Sequence, residues 1–208
     1  MASPQHRIAP VFHDRRRRRI GLFGGSFNPA HAGHGHIADL ACQRLRLDEI
    51  WWLVTPQNPL KPVKGMASFD RRYQSAVAIA SACRFRQAMK VSAMERQLGC
   101  RHTASTVRMI RRRAPRAGLF WIMGADNLAG FHRWRHPHWI AATVPMVIVN
   151  RPGQTTAALG SIGACIAGRR LPASRLSRRR AQPKEWCFIH GPLNPMSATA
   201  IRAQKSFH

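Results

Sequence analysis

Two histidines follow a pair of glycines near the amino end of the chain. The string Gly24-Gly-Ser-Phe-Asn-Pro-Ala-His-Ala-Gly-His34 comes directly after a short apolar segment and leads into a helix-like stretch. Gly24 and Gly25 let a ligand approach the backbone, and their N–H groups suit phosphate oxygens. The spacing predicts that His31 and His34 share one face of the first helical turn, where N–H groups lack intrahelical partners. This arrangement suits a triphosphate, because imidazoles donate hydrogen bonds to oxygens that gain charge in a transition state.

A second candidate phosphate site lies near the carboxyl end, in Asn194-Pro-Met-Ser-Ala-Thr-Ala-Ile-Arg202. Ser197 fits the N-cap of a helix, and Thr199 falls in the first turn, where hydroxyl and N–H groups hold phosphates. Arg202 lies three residues after Thr199, and its guanidinium can bind two phosphate oxygens and neutralise charge on pyrophosphate. Taken alone, an ordinary capped surface helix explains this segment better. Its pairing with the histidine loop favours the phosphate site.

Short apolar segments alternate with amphipathic stretches along the chain, and these elements must position both sites. The alternation predicts an α/β fold with a doubly wound, mainly parallel sheet and helices on both faces. Strands are predicted at 20–23, 50–54, 89–91, 119–123, 144–149 and 186–189, and helices at 33–45, 69–82, 104–113, 126–131, 138–142 and 198–204. Ligands bind such sheets at the carboxyl ends of the strands. The loops after the first, fourth and sixth predicted strands should therefore carry the chemistry.

Basic residues dominate the charged part of the composition. The chain has 34 lysines and arginines against 8 acidic residues, and its formal net charge is +26. Such a field attracts polyanions, so we expect non-specific nucleic-acid binding at low salt. Because the arginines occur in runs, we predict a basic tail at 1–19, a single domain at 20–208 and a flexible arginine-rich insert at 169–183.

The remaining sequence features concern the cellular compartment. No stretch reaches the length of a membrane helix, and residues 1–14 lack the apolar region of a signal peptide. The five cysteines form no CxxC pair, so the pattern indicates neither a disulfide framework nor a zinc site. We therefore expect a cytoplasmic protein without a membrane partner. The pattern is compatible with an oligomer.

The two phosphate-site strings resemble the signatures of a known superfamily. Residues 25–34 resemble the HxGH motif of the nucleotidylyltransferases, and residues 197–202 are similar to their SxTxxR motif. The resemblance implies a Rossmann-like fold, ATP or CTP as donor, pyrophosphate as leaving group and no covalent enzyme intermediate. It implies catalytic roles for His31, His34 and Arg202. The ATP-binding residues that it implies are Gly24, Gly25, Ser26, Phe27, His31, His34, Gly124, Asp126, Ser197, Thr199, Ile201 and Arg202.

Shorter strings resemble one family within this superfamily, the nicotinate-nucleotide adenylyltransferases. They lie at 52–61, 69–73, 122–134 and 147–153, and the matches together run from about Ile20 to Arg202. The resemblance implies that ATP donates an adenylyl group to nicotinate mononucleotide, with Mg²⁺ carried by the ATP phosphates. The residues expected to bind nicotinate mononucleotide are Asn28, Lys61, Thr103 and Trp134. Of these, Trp134 can supply a stacking face and Thr103 a hydrogen-bond donor.

One segment departs from the family pattern. Residues 102–106 read His-Thr-Ala-Ser-Thr, where the family usually has Tyr-Thr-x-Asp-Thr, so an aromatic group and an acid are missing. Apart from this departure, three alternatives stand beside the main hypothesis. They are a related transferase with another acceptor, such as nicotinamide mononucleotide, a nucleic-acid-binding protein on the same scaffold, and an inactive relative that serves as a platform for a partner.

Overall fold

The structure is a computed structural model that describes residues 17–56, 65–150, 155–178 and 182–191. Within these ranges the strands are β1 (Arg19–Gly25), β2 (Glu49–Val54), β3 (Met89–Ser92), β4 (Gly118–Gly124), β5 (Met146–Val149), β6 (Arg169–Arg170) and β7 (Glu185–Ile189). The helices are α1 (Ala32–Leu45), α2 (Phe69–Ser81), α3 (Met94–Gln97), α4 (Thr103–Arg113), α5 (Ala125–Ala129), α6 (Pro137–Ala141), α7 (Thr155–Leu159), α8 (Ile162–Ala167) and α9 (Ala173–Arg178). Two short 3-10 turns lie at Arg86–Ala88 and Phe131–Arg133.

The described strands form one sheet in the order β3-β2-β1-β4-β5-β7-β6. Every neighbouring pair is parallel. The chain builds outward from β1 through β2 to β3, and then returns to place β4 on the other side of β1. This reversal of strand order opens a crevice at the carboxyl ends of β1 and β4, where such folds bind ligands. The predicted parallel α/β fold is confirmed.

Buried side chains alternate between the two faces of the sheet, as expected for strands covered on both sides. Leu22 and Trp51 belong to a core cluster that includes Val107 of α4. Their chain neighbours Phe23 and Trp52 belong to a second cluster, which receives apolar side chains of α1 and α2. The predicted helical layers on both faces are therefore present.

The described part of 169–183, the segment predicted to be a flexible insert, contains a strand and a helix. Arg169–Arg170 pairs with β7 as strand β6, and α9 follows at Ala173–Arg178. Leu171 and Leu176 are buried in the second core cluster, where α9 packs against α1. Two buried leucines anchor this segment despite its like charges. Residues 179–181 lie outside the described residues.

Two further expectations concern the predicted tail and the membrane. Residues 1–16 of the basic tail lie outside the described residues, whereas Arg19 already begins β1. In the part of the chain that the structure describes, no helix combines the length and the apolar character needed to cross a bilayer.

Candidate active site

His31 and His34 lie at the amino end of α1, a few residues after β1. His31 is the N-cap residue, so the prediction that it belongs to the first turn is wrong by one position. Its Nδ1 accepts a hydrogen bond from the Gly33 N–H at 3.2 Å, and Nδ1 of His34 accepts one from the His31 N–H at 3.2 Å. The two ring centroids are 3.9 Å apart. The structure thus brings both imidazoles together, as predicted.

These capping bonds change which groups can donate to a ligand. The N–H groups of Gly33 and His31 are bonded to imidazoles, so the first turn does not offer these two groups as free donors to a phosphate. Because Nδ1 of each ring acts as an acceptor, the neutral ring carries its proton on Nε2. His31 is buried and His34 is half-buried, which restrains both rings. The site therefore holds two oriented imidazole rings at the positive end of a 14-residue helix.

The glycines at the end of β1 are required by close packing. A Cβ on Gly24 would lie 2.7 Å from the Trp121 ring, and one on Gly25 would lie 3.1 Å from the Phe27 ring. Phe27 is buried at a φ of 46°, and its ring packs against that of His34 with centroids 5.1 Å apart. The Phe27 side chain therefore supports the histidine. The ring of Phe27, which was predicted to bind ATP, is committed to this packing.

Ser26 has an unusual environment among the predicted ATP-binding residues. Its side chain is buried, and its Oγ has no hydrogen-bond partner among the described residues. A buried hydroxyl without a partner costs free energy, so such groups occur where a ligand or water completes the bonding. This observation is independent of the sequence motif, and it points to a ligand at the same loop.

Arg72 organises the loops around this site, and the sequence analysis missed it. The residue is 1% exposed, and its guanidinium donates to the carbonyl oxygens of Ser26 at 2.8 Å, Thr55 at 2.7 Å, Pro56 at 2.7 Å and Ala67 at 3.1 Å. Burial lowers the pKa of Arg72. The carbonyls compensate part of the cost of burying its charge. One cation thus joins the histidine loop to both sides of the segment at 57–64.

Asn28 makes a second connection to the same segment. Its Nδ2 donates to the Gly65 carbonyl at 2.9 Å, and its Oδ1 accepts from the Ala67 N–H at 3.0 Å. Asn28 was predicted to bind nicotinate mononucleotide, and its described bonds hold the loop beside the site. Lys61, predicted for the same role, lies outside the described residues.

The end of β4 meets the end of β1 at the crevice. Phe23 pairs with Ile122, which brings Gly124 to the strand end beside Gly25. Gly124 is the N-cap of α5, and Asp126 is an exposed residue of the first turn of that helix. The structure therefore brings these two predicted ATP-binding residues to the carboxyl edge of the sheet, the same edge as the histidines.

Trp134 and Thr103 occupy the face of the sheet covered by α4. Trp134 is half-buried and packs edge-to-face against Trp121 and Phe131, with centroids 6.0 Å and 5.4 Å apart. Part of its surface therefore serves the core. Thr103 is the half-buried first residue of α4.

Glu95 supplies a buried acid near the segment that lacks the family's aspartate. The residue is 4% exposed, and the hydroxyl of Thr106 donates to its Oε1 at 2.8 Å. Burial raises the pKa of the Glu95 carboxyl, whereas its hydrogen bonds with Thr106 and Thr55 lower it. Since Thr55 follows β2, this carboxyl joins the base of the 57–64 segment to α4. Position alone did not distinguish Glu95 from a surface residue.

The second predicted phosphate site falls beyond the described part of the chain. Ser197, Thr199, Ile201 and Arg202 lie outside the described residues. The described chain ends at Gly191, whose N–H donates to Oδ1 of Asn150 at 3.3 Å beside the carboxyl end of β5. The last described residue before this segment therefore lies at the same edge of the sheet as the histidines.

The described residues were also compared with the requirements of a metal site. In the ranges that the structure describes, no group of three or more His, Cys, Asp or Glu side chains is placed to hold a metal ion. Nδ1 of His31 and Nδ1 of His34 each already accept a backbone N–H. A metal carried by a polyphosphate ligand needs no protein cage of this kind.

A parallel sheet with a glycine-histidine loop where the strand order reverses defines a nucleotide-binding α/β protein of the nucleotidylyltransferase class. The sequence profile of the cytidylyltransferase-like family matches residues 22–204. The chain therefore belongs to the cytidylyltransferase-like family. Within it, the chain belongs to the nicotinate-nucleotide adenylyltransferases, to two of which it is 44% and 48% identical.

Two bacterial relatives illustrate the similarity. The "Probable nicotinate-nucleotide adenylyltransferase" of Erythrobacter litoralis is 48% identical over 186 residues, which cover 88% of this chain and 83% of the relative. The protein of the same name from Methylorubrum extorquens is 44% identical over 188 residues, which cover 89% of this chain and 100% of the relative.

Solved structures share the fold at much lower identity. Plasmodium falciparum nicotinic acid mononucleotide adenylyltransferase complexed with APC superposes with a TM-score of 0.67 at 14% identity, covering 90% of this chain and 83% of the other. The same enzyme complexed with NaAD gives a TM-score of 0.66. These likenesses support the Rossmann-like architecture.

Proposed function

We propose that the chain transfers the adenylyl group of ATP to nicotinate mononucleotide, giving nicotinate adenine dinucleotide and pyrophosphate on the route to NAD. The observation that carries the proposal is the pair of oriented imidazoles, 3.9 Å apart at the amino end of α1. Relatives of the same family name at 44% and 48% identity support the choice of substrates.

The reaction is a direct displacement at phosphorus. An oxygen of the 5′-phosphate of nicotinate mononucleotide forms a bond to the α-phosphorus of ATP. The bond from this phosphorus to the oxygen bridging to the β-phosphate breaks, and its electron pair leaves with pyrophosphate. The attacking phosphate is already ionised, so no general base is required. Catalysis then consists of positioning and of stabilising charge.

The histidines are the described groups suited to that charge. Donors on Nε2 of His31 and His34 face a triphosphate laid over the start of α1, and they strengthen their bonds as its oxygens gain charge. Gly24, Gly25 and Ser26 hold the phosphates from the loop, while Gly124 and Asp126 receive the nucleoside from the end of β4. We assign Ser197, Thr199, Ile201 and Arg202 to the same ATP site by their motif.

The acceptor site extends over the other side of the crevice. We assign the binding of nicotinate mononucleotide to Asn28, Lys61, Thr103 and Trp134. Arg72 and Glu95 act as positioning residues, because they bond to the backbone and hydroxyl groups that flank these loops. Mg²⁺ would be held by the ATP phosphates, and there it would neutralise part of their charge. The reaction takes place in the cytoplasm.

Pyrophosphate release tests the function directly. The protein is given ATP and Mg²⁺ at physiological salt, with nicotinate mononucleotide and nicotinamide mononucleotide offered in parallel. We expect strong preference for the nicotinate substrate. Comparable release with nicotinamide mononucleotide would replace the assigned acceptor, and no release with either substrate from folded protein would overturn the reaction. For variants of His31 or His34 in this assay, His36→Ala is the matched control, since His36 lies on α1 outside the histidine pair.

A further inference from the structure

A cleft of about 1000 Å³ lies at the edge of the sheet opposite the histidines. It is lined by Arg19 at the start of β1, Gly118 at the start of β4 and Pro145 just before β5. β4 crosses the sheet from Gly118 to Gly124, a distance of roughly 20 Å at about 3.3 Å per residue. The cleft is therefore separate from the nucleotide site described above.

Arginine is concentrated in this cleft. Six of the seventeen lining residues are arginine, about twice the density of lysine and arginine in the chain as a whole, which has 34 in 208 residues. They are Arg17, Arg18, Arg19, Arg111, Arg116 and Arg178. Among the described lining residues there is no Asp or Glu.

Two of these arginines are held in place by the backbone. The guanidinium of Arg19 donates to the carbonyl oxygens of Leu45 at 3.3 Å and Leu176 at 2.8 Å. That of Arg111 donates to the Ala117 carbonyl at 2.8 Å. Side chains fixed in this way lose little further entropy when an anion binds. The cleft therefore contains preorganised cations as well as exposed ones.

Nearby carboxylates neutralise only part of this charge. Arg18 forms an ion pair with Glu49, and Asp48 accepts the backbone N–H of Arg19. Arg116 and Arg178 are exposed at the rim. Guanidinium groups gathered in one cleft repel each other, and an anion with several closely spaced charges would offset that repulsion.

The cleft suits a compact anion better than a nucleic-acid strand. Phosphates of a nucleic acid are separated by sugars, whereas the phosphoryl groups of an oligophosphate share bridging oxygens and concentrate their charge. The guanidinium carbon of Arg19 lies over the Phe120 ring, 4.8 Å from its centroid. Arg19 therefore occupies the ring face on which a nucleic-acid base would stack. The volume also falls in the range of small-ligand sites.

We propose that this cleft binds a compact oligophosphate anion, with three or more phosphoryl groups linked through shared oxygens. The inference does not depend on the proposed transferase reaction. It defines a second phosphate site, separated from the first by about the length of strand β4.

Inorganic tripolyphosphate is the probe, and amide signals in nuclear magnetic resonance locate its binding. Titration at about 150 mM salt should give saturable shifts at Ala117 and Gly118 in the cleft, distinguishable from shifts at Gly25 and Gly124 in the nucleotide site. The double variant R116Q/R178Q should weaken binding at the cleft signals roughly tenfold and leave the midpoint at Gly25 unchanged.

A variant with the same loss of charge provides the control. R44Q/R86Q removes two exposed arginines outside the cleft and should leave the cleft signals unchanged. Equal weakening by both variants, or tripolyphosphate shifts confined to Gly25 and Gly124, would overturn the proposal. A twelve-nucleotide oligouridylate that shifts Ala117 and Gly118 at lower concentration than tripolyphosphate would overturn it in favour of a nucleic-acid site.

Discussion

The carboxyl edge of the sheet and its amino edge hold positive charge in opposite ways. At the carboxyl edge, Arg72 is buried and bonded to four carbonyls, and His31 and His34 have their rings fixed by backbone bonds. At the amino edge, six arginines line one cleft, and several of them are exposed. The positive groups at the carboxyl edge are each held in a defined position, whereas the amino edge gathers many positive groups in one cleft. Single substitutions should therefore have large effects at the carboxyl edge and small effects at the amino edge.

The largest effect is expected at Arg72. Arg72→Met removes the donor for four carbonyls, so we expect a loss of about 3–5 kcal/mol in the free energy of unfolding. For a chain of this size the melting temperature should fall by roughly 6–20 °C. Calorimetry checks this result. The neighbouring exposed Arg71→Met is the control, and equal melting temperatures for the two variants would contradict the positioning role.

His34→Ala tests placement at the chemical step. The variant loses one donor to the phosphates, so turnover should fall by about 10²-fold or more. It also loses a capping bond worth about 1 kcal/mol, which could confound the result. His34→Asn is the matched variant, because its amide oxygen can accept the His31 N–H while its Nδ2, on a shorter side chain, falls short of the position of Nε2. Near-wild-type turnover for either variant would remove His34 from the mechanism.

Ser26→Ala separates ligand binding from stability. Since Oγ of Ser26 has no partner among the described residues, its removal should leave the melting temperature within about 2 °C of the parent. If ATP completes the bonding of this hydroxyl, the KM for ATP should rise about 3–10-fold. Unchanged KM together with unchanged stability would show that the ligand leaves Ser26 unbonded.

Glu95 makes the stability of the protein depend on pH. Burial raises the pKa of this carboxyl above its ordinary value of 4.5, so the folded state binds a proton that the unfolded state has released. The contribution of Glu95 to stability is complete below pH 4.5 and is lost as pH rises through the folded pKa. Glu95→Gln removes this dependence. Thermal unfolding across this window should show the variant gaining stability relative to the parent as pH rises, and a constant difference would contradict the shift.

The smallest effect is expected at the amino edge. Arg116 is exposed among other arginines, so Arg116→Gln should change the free energy of unfolding by less than about 0.5 kcal/mol in the absence of added anions. Chemical denaturation measures this difference. A loss comparable to that of Arg72→Met would erase the contrast between the two edges.

Much of the fold could be predicted because the strands carry a simple pattern. The six predicted strands agree with β1 to β5 and β7 to within a few residues, since apolar runs bounded by polar turns mark buried parallel strands. β6 has only two exposed arginines and carries no such pattern. α9 was missed because arginines surround Leu171 and Leu176, whose burial depends on distant contacts with α1.

The candidate site likewise contains residues that the sequence predicts and residues that it does not. The histidine pair could be predicted, because its motif lies within one local segment. Arg72 could not be distinguished by type from Arg71, although its spacing from the buried Ala76 and Ala80 of α2 offered a signal. Its carbonyl partners come from the connection after β1 and from both ends of the connection after β2, and only the folded chain brings them together. Glu95 was missed for the same reason.

The strand order also has a consequence for the growing chain. β5, with the sequence Met-Val-Ile-Val, lies between β4 and β7, yet β7 is made about 35 residues after β5 ends, from 149 to 185. Until Glu185–Ile189 is synthesised, β5 has an unpaired, wholly apolar edge of the kind that pairs with other chains. The arginines of residues 169–178 are made within this interval. We expect like-charge repulsion among nascent chains at this stage to oppose their aggregation before the sheet is complete.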